Sequence, residues 1–433
     1  MTQSTTEGLQ AVRDRVRPWI EERRDEIANL LLSLVGARSI TLDEGPAQAV
    51  VERAMRDRGW EVDRWEATSE EIAPYIVHVG EQERYEGRPN LVARIPGSGG
   101  GRSLMLQGHV DVVDPGDPAL WTHDPWGERV GGRIYGRGAV DMKGGVVAML
   151  LARQVLGELD VEVKGDVYLA TTVGEEDGGL GALSVVLRGY RPDGVVIPEP
   201  TGRSLVIAQG GSLVFRITVP GKAAHGANRN AGESAVEHFY PIFHALLEWE
   251  RERNETISHP LYDHLENKFP ISVGVVRAGN WASTVPESLV AEGRLGFLPG
   301  ETIEDMQRQA EELIARVASE SRWLRDHPPT VEWFGGQFAA AEVPADHPLT
   351  QTVARAHRVA TGADVEISGI TGGTDARLFT EIAQIPAVVY GPWDNALAHM
   401  TDEYIELSEV LGTAETLALA IADWCGYDAP AAH

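Results

Sequence analysis

Residues 166–177 read DVYLATTVGEED, and the fold prediction starts from this stretch. An apolar run rich in β-branched and aromatic residues ends at Gly174, and two carboxylates follow it directly, which indicates a buried strand leading into a polar turn. The same order of an apolar run and then polar residues recurs along the chain. It is found in SLMLQGHVD (103–111) and DGVVIPE (193–199), and the apolar run PAVVYG (386–391) predicts a further strand.

Segments with helical spacing separate these strands. Apolar residues recur at helical intervals over 21–35, 47–58 and 144–156, the last of which we expect to be buried on one side. A further strand is predicted at 90–97. Strands that alternate with helices indicate an α/β fold, so we predict a three-layer catalytic domain with a mostly parallel sheet.

A second unit begins near residue 210. Residues 212–222 alternate apolar and polar side chains, as a half-buried antiparallel strand does. An amphipathic helix, two strands and a second helix follow, at 233–253, 269–279, 288–300 and 303–323. The helix and strand pattern of the first unit then returns. We therefore predict an inserted α+β, ferredoxin-like unit at 210–328, between catalytic segments at 1–209 and 329–433.

Composition narrows the choice of partners and compartment. The 433 residues include 38 Lys and Arg against 65 Asp and Glu, a net charge of −27, which argues against nucleic acid or an anionic membrane as a partner. The single cysteine, Cys425, excludes an intrachain disulfide and suits a reducing compartment. The first residues are polar and lack an export signal, so we expect a cytoplasmic protein.

Two polar motifs in the first half could hold a metal. His109 and Asp111 are two residues apart at a strand end, so their side chains share a face, as in a metal-binding histidine held by a carboxylate. A buried His–Asp pair without a metal is the alternative. Asp141 lies in YGRGAVDMKGG, a glycine-rich turn that opens a helix. Such turns let the backbone approach a ligand, although an ordinary helix N-cap explains an Asp there as well.

Three further sites follow predicted strands. The neighbouring carboxylates of Glu175 and Glu176 repel each other unless a cation or a proton intervenes. Since neighbouring residues of an extended chain point in opposite directions, one could bind metal while the other acts as general base. A solvated acidic turn is the alternative. Glu199 stands between two prolines after its strand, and His399 lies in a loop after the strand at 386–391.

Taken together, these residues indicate a two-metal hydrolase that cleaves amide bonds. Ligands of α/β sheets gather at the carboxyl ends of strands, where four of these sites are predicted. Two histidines and three carboxylates suit two Zn²⁺ ions, with Co²⁺ or Mn²⁺ as substitutes. If Asp141 bridges, each ion receives one histidine, one terminal carboxylate and a share of the bridge. An open position would then admit an activated water.

The motifs YGRGAVDMKGG and TTVGEEDGGLGA resemble those of the M20 family of metallopeptidases and deacylases. The resemblance implies that His109, Asp141 and Glu199 hold one metal. It implies that Asp141, Glu176 and His399 hold the other, that Glu175 is the general base and that Asp111 orients His109. The glutamate at 199 is similar to that of the deacetylase and desuccinylase branch.

The resemblance also implies site residues outside the metal cluster. His225, in GKAAHGA, matches a histidine of the inserted domain that reaches the partner's active site in dimeric members, so we expect a homodimer. Arg294 and Arg377 match arginines that bind a substrate carboxylate. Ser283 stands where the family often has asparagine, which changes a contact to the substrate or the oxyanion.

We therefore predict a deacylase that acts on a small N-acylated amino acid or a related amide. A dipeptidase or carboxypeptidase of the same family, or a deformylase of an amide that is not an amino acid, are the alternatives. Two readings outside the family also remain, the M28 di-zinc aminopeptidases and a metal-free binding protein. The inserted unit with GKAAHGA argues against the first, and the complete ligand set argues against the second.

Overall fold

A computed structural model of the chain describes residues 6–428. Its α-helices are α1 Thr6–Glu22, α2 Arg24–Val35, α3 Gly45–Asp57, α4 Ser69–Ile72, α5 Ile76–Val79, α6 Gly144–Glu158, α7 Leu180–Leu187, α8 Ala235–Thr256, α9 Ile303–Glu320, α10 Arg322–Asp326, α11 Pro348–Thr361 and α12 Leu407–Cys425.

The strands run from β1 to β20 in chain order. They are β1 Glu61–Glu66, β2 Pro89–Ile95, β3 Leu104–His109, β4 Glu128–Val130, β5 Arg133–Tyr135, β6 Glu162–Val163, β7 Val167–Thr172, β8 Val195–Ile197, β9 Leu205–Gln209, β10 Gly211–Pro220, β11 Ala224–His225, β12 Ile271–Ala278, β13 Thr284–Val285, β14 Ser288–Phe297, β15 Thr330–Trp333, β16 Ala341–Glu342, β17 Ile367–Ile370, β18 Ala387–Val389, β19 Tyr404–Glu406 and β20 Tyr427–Asp428.

The large sheet has four parallel strands at its centre. Its order is β1-β2-β7-β3-β8-β18-β9-β16, and β17 pairs with β9. The neighbours β7, β3, β8 and β18 run parallel, while β1, β2 and β16 pair antiparallel with their neighbours. The α/β fold with parallel central strands, predicted from the alternating pattern, is confirmed.

Helices cover both faces of this sheet. Every residue of β3, β8, β9 and β18 is buried, and since successive side chains of a strand point to opposite faces, both faces must be covered. Helix α6 is buried almost all round rather than on one side, because it lies between the sheet and α12. The N-terminal helix α1, which the sequence reading did not predict, packs its apolar stripe against α12.

The inserted unit is a four-stranded antiparallel sheet with two long helices. Its elements follow the order β10, α8, β12, β14, α9, β15, and the strands are arranged β12-β14-β10-β15. This is the βαββαβ order of a ferredoxin-like unit. Strand β15 was not predicted, and it pairs with β10 beyond the predicted boundary at 328. Ser234 and Thr302 cap α8 and α9 by accepting backbone hydrogen bonds from Glu237 and Asp305.

The unit has its own apolar core and is joined to the large sheet by a small third cluster. Residues of β10, β14, α8 and α9 form that core. Tyr262, Phe269 and Leu298 of the insert pack with Ala208 of β9. Among residues 6–428 no helix is both long and apolar enough to cross a membrane.

Candidate active site

Four of the predicted metal ligands and the predicted base Glu175 lie at or after the carboxyl ends of four neighbouring parallel strands, at one edge of the sheet. His109 is the last residue of β3, Glu175 and Glu176 follow β7, Glu199 follows β8, and His399 lies in the loop after β18. The carboxyl ends of parallel strands meet at one edge, which is why residues far apart in sequence converge there. Asp141 joins them from the turn Ala139–Lys143 that leads into α6.

The first cluster consists of His109, Asp141 and Glu199. His109 Nε2 lies 3.2 Å from Asp141 Oδ1 and 3.4 Å from Glu199 Oε1. His109 and Glu199 are both buried. One atom from each of the three residues lies within 4.8 Å of the others, a spacing that fits a metal ion between them.

The second cluster shares Asp141 with the first. His399 Nε2 lies 3.0 Å from Glu176 Oε1 and 3.5 Å from Asp141 Oδ2. The two carboxylate oxygens of Asp141 therefore face different histidines. The structure brings all five predicted ligands together in the arrangement that a bridging carboxylate requires.

Asp111 organises the cluster from behind. Its backbone carbonyl accepts a hydrogen bond from His109 Nδ1 at 3.0 Å, which leaves the lone pair of Nε2 free for a metal. The carboxylate of Asp111 accepts hydrogen bonds from the backbone N–H groups of Glu175 and Glu176, both at 3.2 Å. One buried residue thus fixes the His109 ring and the turn that carries both glutamates.

The pKa values in the cluster reflect its crowding. Burial opposes the charged ring of His109, but Glu199, Asp111 and Asp141 outweigh it and hold the pKa of His109 well above its ordinary value. Hydrogen bonds that the His399 ring donates to Asp141 and Glu176 raise the pKa of His399 to about 10. Burial, with Asp141 nearby, raises the pKa of Glu199 to about 8. Burial of Asp141 is outweighed by both histidines, so its pKa is lowered.

The residues fit a pair of divalent metal ions. His109 Nε2 can donate one hydrogen at most, yet two carboxylates converge on it, and His399 Nε2 faces two as well. A cation between these atoms satisfies every acceptor at once. Imidazole and carboxylate ligands, three for each ion, leave open positions and match the donor set of catalytic zinc sites.

Glu175 lines an open cleft of about 560 Å³ beside both clusters. Burial raises the pKa of its carboxyl well above the ordinary value, and Asp375, Glu199 and Glu176 raise it further. The other walls come mainly from the loops after β8, β17 and β18. They include Thr201, Ser204, Val206, Leu265, Ser368, Ile370, Thr371, Thr374, Asp394 and Asn395.

Three buried polar residues at the site were not predicted. Arg137 and Glu403 form an ion pair of 2.5 Å next to Asp141 and His399. Asp375 accepts a hydrogen bond from Gln107 at 2.8 Å, and burial raises its pKa to about 6. Arg137 lies in the motif YGRGAVDMKGG, but only the fold shows that its side chain turns inward to meet Glu403.

His225 and Ser283 lie together on the inserted unit, away from the metal clusters. His225 pairs with Thr284 in the β11–β13 ribbon, and the backbone carbonyl of Ser283 accepts a hydrogen bond from Gly226 at 2.7 Å. The side chain of His225 is exposed, and neither residue lines the cleft of its own chain. Their predicted roles remain predictions.

The two predicted substrate arginines differ in their surroundings. Arg294 donates to Ser212 Oγ at 2.6 Å and to the backbone carbonyl of Thr371, a cleft residue, at 2.9 Å. Arg377 is 3% exposed, donates to the carbonyl of Gly178 at 2.8 Å and stacks over Phe338. Arg294 stands directly behind the cleft wall, whereas Arg377 is enclosed. Binding of a substrate by either remains a prediction.

Sequence comparison identifies the class of protein. Residues 105–423 match the model of peptidase family M20/M25/M40, so the chain belongs to this family and is a hydrolase that acts on amide bonds. The alternative M28 assignment is thereby set aside.

The chain is similar in sequence to a deformylase and to a probable desuccinylase. The chain is 28% identical over 94% of its length to N-formyl-4-amino-5-aminomethyl-2-methylpyrimidine deformylase of Bacillus subtilis, of which 96% is covered. It is 29% identical over 74% of its length to a probable succinyl-diaminopimelate desuccinylase of Staphylococcus epidermidis, with 82% of that protein covered.

The aminopeptidase PepT of Bacillus cereus shares the fold, with a TM-score of 0.72 at 20% identity, over 92% of this chain and 98% of that one. A dinuclear metal-binding M20 peptidase of Bacillus subtilis has a TM-score of 0.64 at 14% identity, over 93% and 99% of the two chains.

Proposed function

We propose that the chain is a two-metal amidohydrolase that removes a small acyl group from an N-acylated amino acid or a related amide. The observation that carries this proposal is the pair of three-residue clusters that meet at Asp141, beside Glu175 and an open cleft. Two Zn²⁺ ions, for which Co²⁺ or Mn²⁺ can substitute, are the proposed cofactors.

His109, Asp141 and Glu199 would hold one ion, and Asp141, Glu176 and His399 the other. When bound, such a metal pair polarises the amide carbonyl and lowers the pKa of water. Asp111 keeps the His109 ring in the orientation that presents Nε2. The chain's own contribution is therefore a rigid, largely buried ligand set at the edge of the sheet.

Glu175 is the proposed general base. It lines the cleft together with the ligands Asp141, Glu176 and Glu199, so a water between the clusters and the substrate is within its reach. As a carboxylate that is not a proposed metal ligand, it can take the proton from the attacking water and pass it to the departing amine.

A homodimer is part of the proposal, with His225 supporting the developing oxyanion in the partner's cleft. The exposed position of His225 on the inserted unit supports this, since it has no contact with the metal cluster of its own chain. Exposed apolar side chains lie on the same unit, on α8, on β12 and in the following loop: Val236, Tyr240, Leu247, Val276 and Trp281. A patch of this kind suits an interface between two copies about a two-fold axis.

For the substrate, Arg294 supports an amide that carries a carboxylate. It forms no ion pair with another described residue, and it contacts the carbonyl of Thr371 in the cleft wall. A small change of that wall would expose a guanidinium, which binds a carboxylate through two hydrogen bonds.

A second candidate is the deformylation of an amide whose amine bears no carboxylate. None of the described side chains that line the cleft is Lys or Arg. Two divalent ions would balance the carboxylates of Asp141, Glu175, Glu176 and Glu199, which leaves the charge of Asp394 uncompensated. Such a cleft favours a neutral or cationic amine, and the relative that the chain matches over nearly its whole length is a pyrimidine deformylase.

A matched substrate panel tests both candidates. Formyl, acetyl and succinyl groups are attached either to amino acids or to an aminomethylpyrimidine, and kcat/KM is measured with Zn²⁺ and with Co²⁺. Hydrolysis of the amino-acid series supports the first candidate, and preference for the formylated pyrimidine supports the second. No hydrolysis of any member by the metal-loaded protein would contradict the proposed acyl-group removal.

A further inference from the structure

A buried ion pair joins the two loops that carry Asp141 and His399. Arg137 and Glu403 are 266 residues apart in sequence, and Arg137 Nη1 lies 2.5 Å from Glu403 Oε2. Their side chains are 3% and 0% exposed. An ion pair so fully removed from water is costly to form unless further hydrogen bonds satisfy both groups.

The further hydrogen bonds go to the backbone of the metal-site loops. Glu403 Oε1 accepts from the N–H of Val140 at 2.9 Å and of Asp141 at 3.4 Å. Arg137 Nη2 donates to the backbone carbonyl of His399 at 3.0 Å. The pair therefore holds the backbone at the shared carboxylate and at the histidine of the second cluster, and it fixes the two relative to each other.

The second cluster needs such support more than the first. His109 is part of a buried strand and Glu199 follows one by two residues, so the sheet itself holds them. His399 lies farther from its strand, in a loop, and its φ of 63° is in the left-handed region that side-chain-bearing residues adopt at a cost. Without a hydrogen bond to its carbonyl, that conformation loses an anchor.

We propose that Arg137 and Glu403 are positioning residues that set the affinity of the second metal site, formed by Asp141, Glu176 and His399. This inference rests on the proposed two-metal function. Replacing the ion pair should weaken binding of the second ion more than binding of the first, although both ions share Asp141. Partners behind metal ligands typically change affinity by about 10–100-fold when they are replaced.

A neighbouring ion pair provides the matched control. Arg133 Nε lies 2.7 Å from Glu406 Oε1, and this pair links the adjacent strands β5 and β19, which lie next to Arg137 and Glu403 in sequence. It is partly exposed and reaches neither Asp141 nor His399. If any ion pair near these strands supported the second metal site equally well, Glu406→Gln would weaken Zn²⁺ binding as much as Glu403→Gln does.

The experiment measures Zn²⁺ binding to the full chain in competition with a chelator, for the parent, Glu403→Gln, Arg137→Lys and Glu406→Gln. The double variant Arg137→Met/Glu403→Gln is included because it leaves no buried charge without a partner. Thermal unfolding and circular dichroism identify the variants that fold.

We expect the folded Glu403→Gln, Arg137→Lys and double variants to bind one Zn²⁺ with parental affinity and the second at least about 10-fold more weakly. Glu406→Gln should bind both as the parent does. Parental affinity for both ions in the folded double variant would overturn the positioning role and leave the two-metal function standing. A parent chain that binds fewer than two ions would overturn both.

Discussion

The metal clusters and the inserted unit contribute to the site in different ways. The five proposed ligands converge within one chain because four parallel strands end at one edge, and Asp111, which accepts the orienting hydrogen bonds, is buried. His225 and Ser283, in contrast, lie on a two-stranded ribbon, and His225 is exposed to solvent. The catalytic unit thus supplies all five proposed metal ligands, whereas the predicted oxyanion support from His225 would need the surface of a partner subunit.

The largest effect should come from the base inside the catalytic unit. We expect Glu175→Gln to keep its metal content and to lose about 10²–10⁴-fold in kcat, because general-base catalysis is typically worth that factor. Asp177→Asn, two residues farther along and exposed, is the control and should stay within about twofold of the parent. Steady-state turnover and metal analysis of the same samples check this, and near-parental turnover of Glu175→Gln would assign the base to another residue.

The next largest effect should come from His225 on the inserted unit. We expect His225→Ala to lose about 10²–10³-fold in kcat, as removal of an oxyanion donor does. Mixing it with Glu175→Gln under conditions of subunit exchange should restore part of the activity, since a hybrid dimer contains one complete site.

The control for this mixing experiment is His264→Ala, an exposed histidine of the same inserted unit, which should retain activity without mixing. If exchange is demonstrated and no activity returns, His225 does not act across subunits.

The smallest effect concerns the arginine between the two units. Arg294→Ala should raise KM for N-acyl amino acids by at least about tenfold, because a charged hydrogen bond is worth about 1.5–3 kcal/mol, and it should leave KM for the carboxamide analogues nearly unchanged. Arg277→Ala, on the adjacent strand β12 and exposed, is the control. Equal KM changes for acids and carboxamides would argue against a carboxylate contact and favour the carboxylate-free amide.

The sequence could predict features that depend on local patterns, but not contacts between residues that are far apart in the chain. The strand ends and the polar residues that follow them were predictable because an apolar run followed by His, Asp or Glu is a local pattern. Strand β15 was missed since its four residues are only partly buried or exposed and show no apolar run. The pairing of Arg137 with Glu403 could not be predicted from the sequence, because only the folded chain brings residues so distant in sequence together. Nor does sequence spacing show that Arg377 is enclosed and Arg294 stands at the cleft wall.

We propose that one carboxylate, Asp141, is shared by two metal ions that the reaction requires. Its most direct test is metal analysis and amide hydrolysis of the parent and of Asp141→Asn, before and after chelation and after Zn²⁺ is added back. We predict about two ions per parent chain, activity that is lost on chelation and restored by Zn²⁺, and weakened binding of both ions with loss of activity in Asp141→Asn. Full activity in the demetallated parent would show that the reaction needs no metal, and two tightly bound ions in Asp141→Asn would show that Asp141 is not the shared ligand.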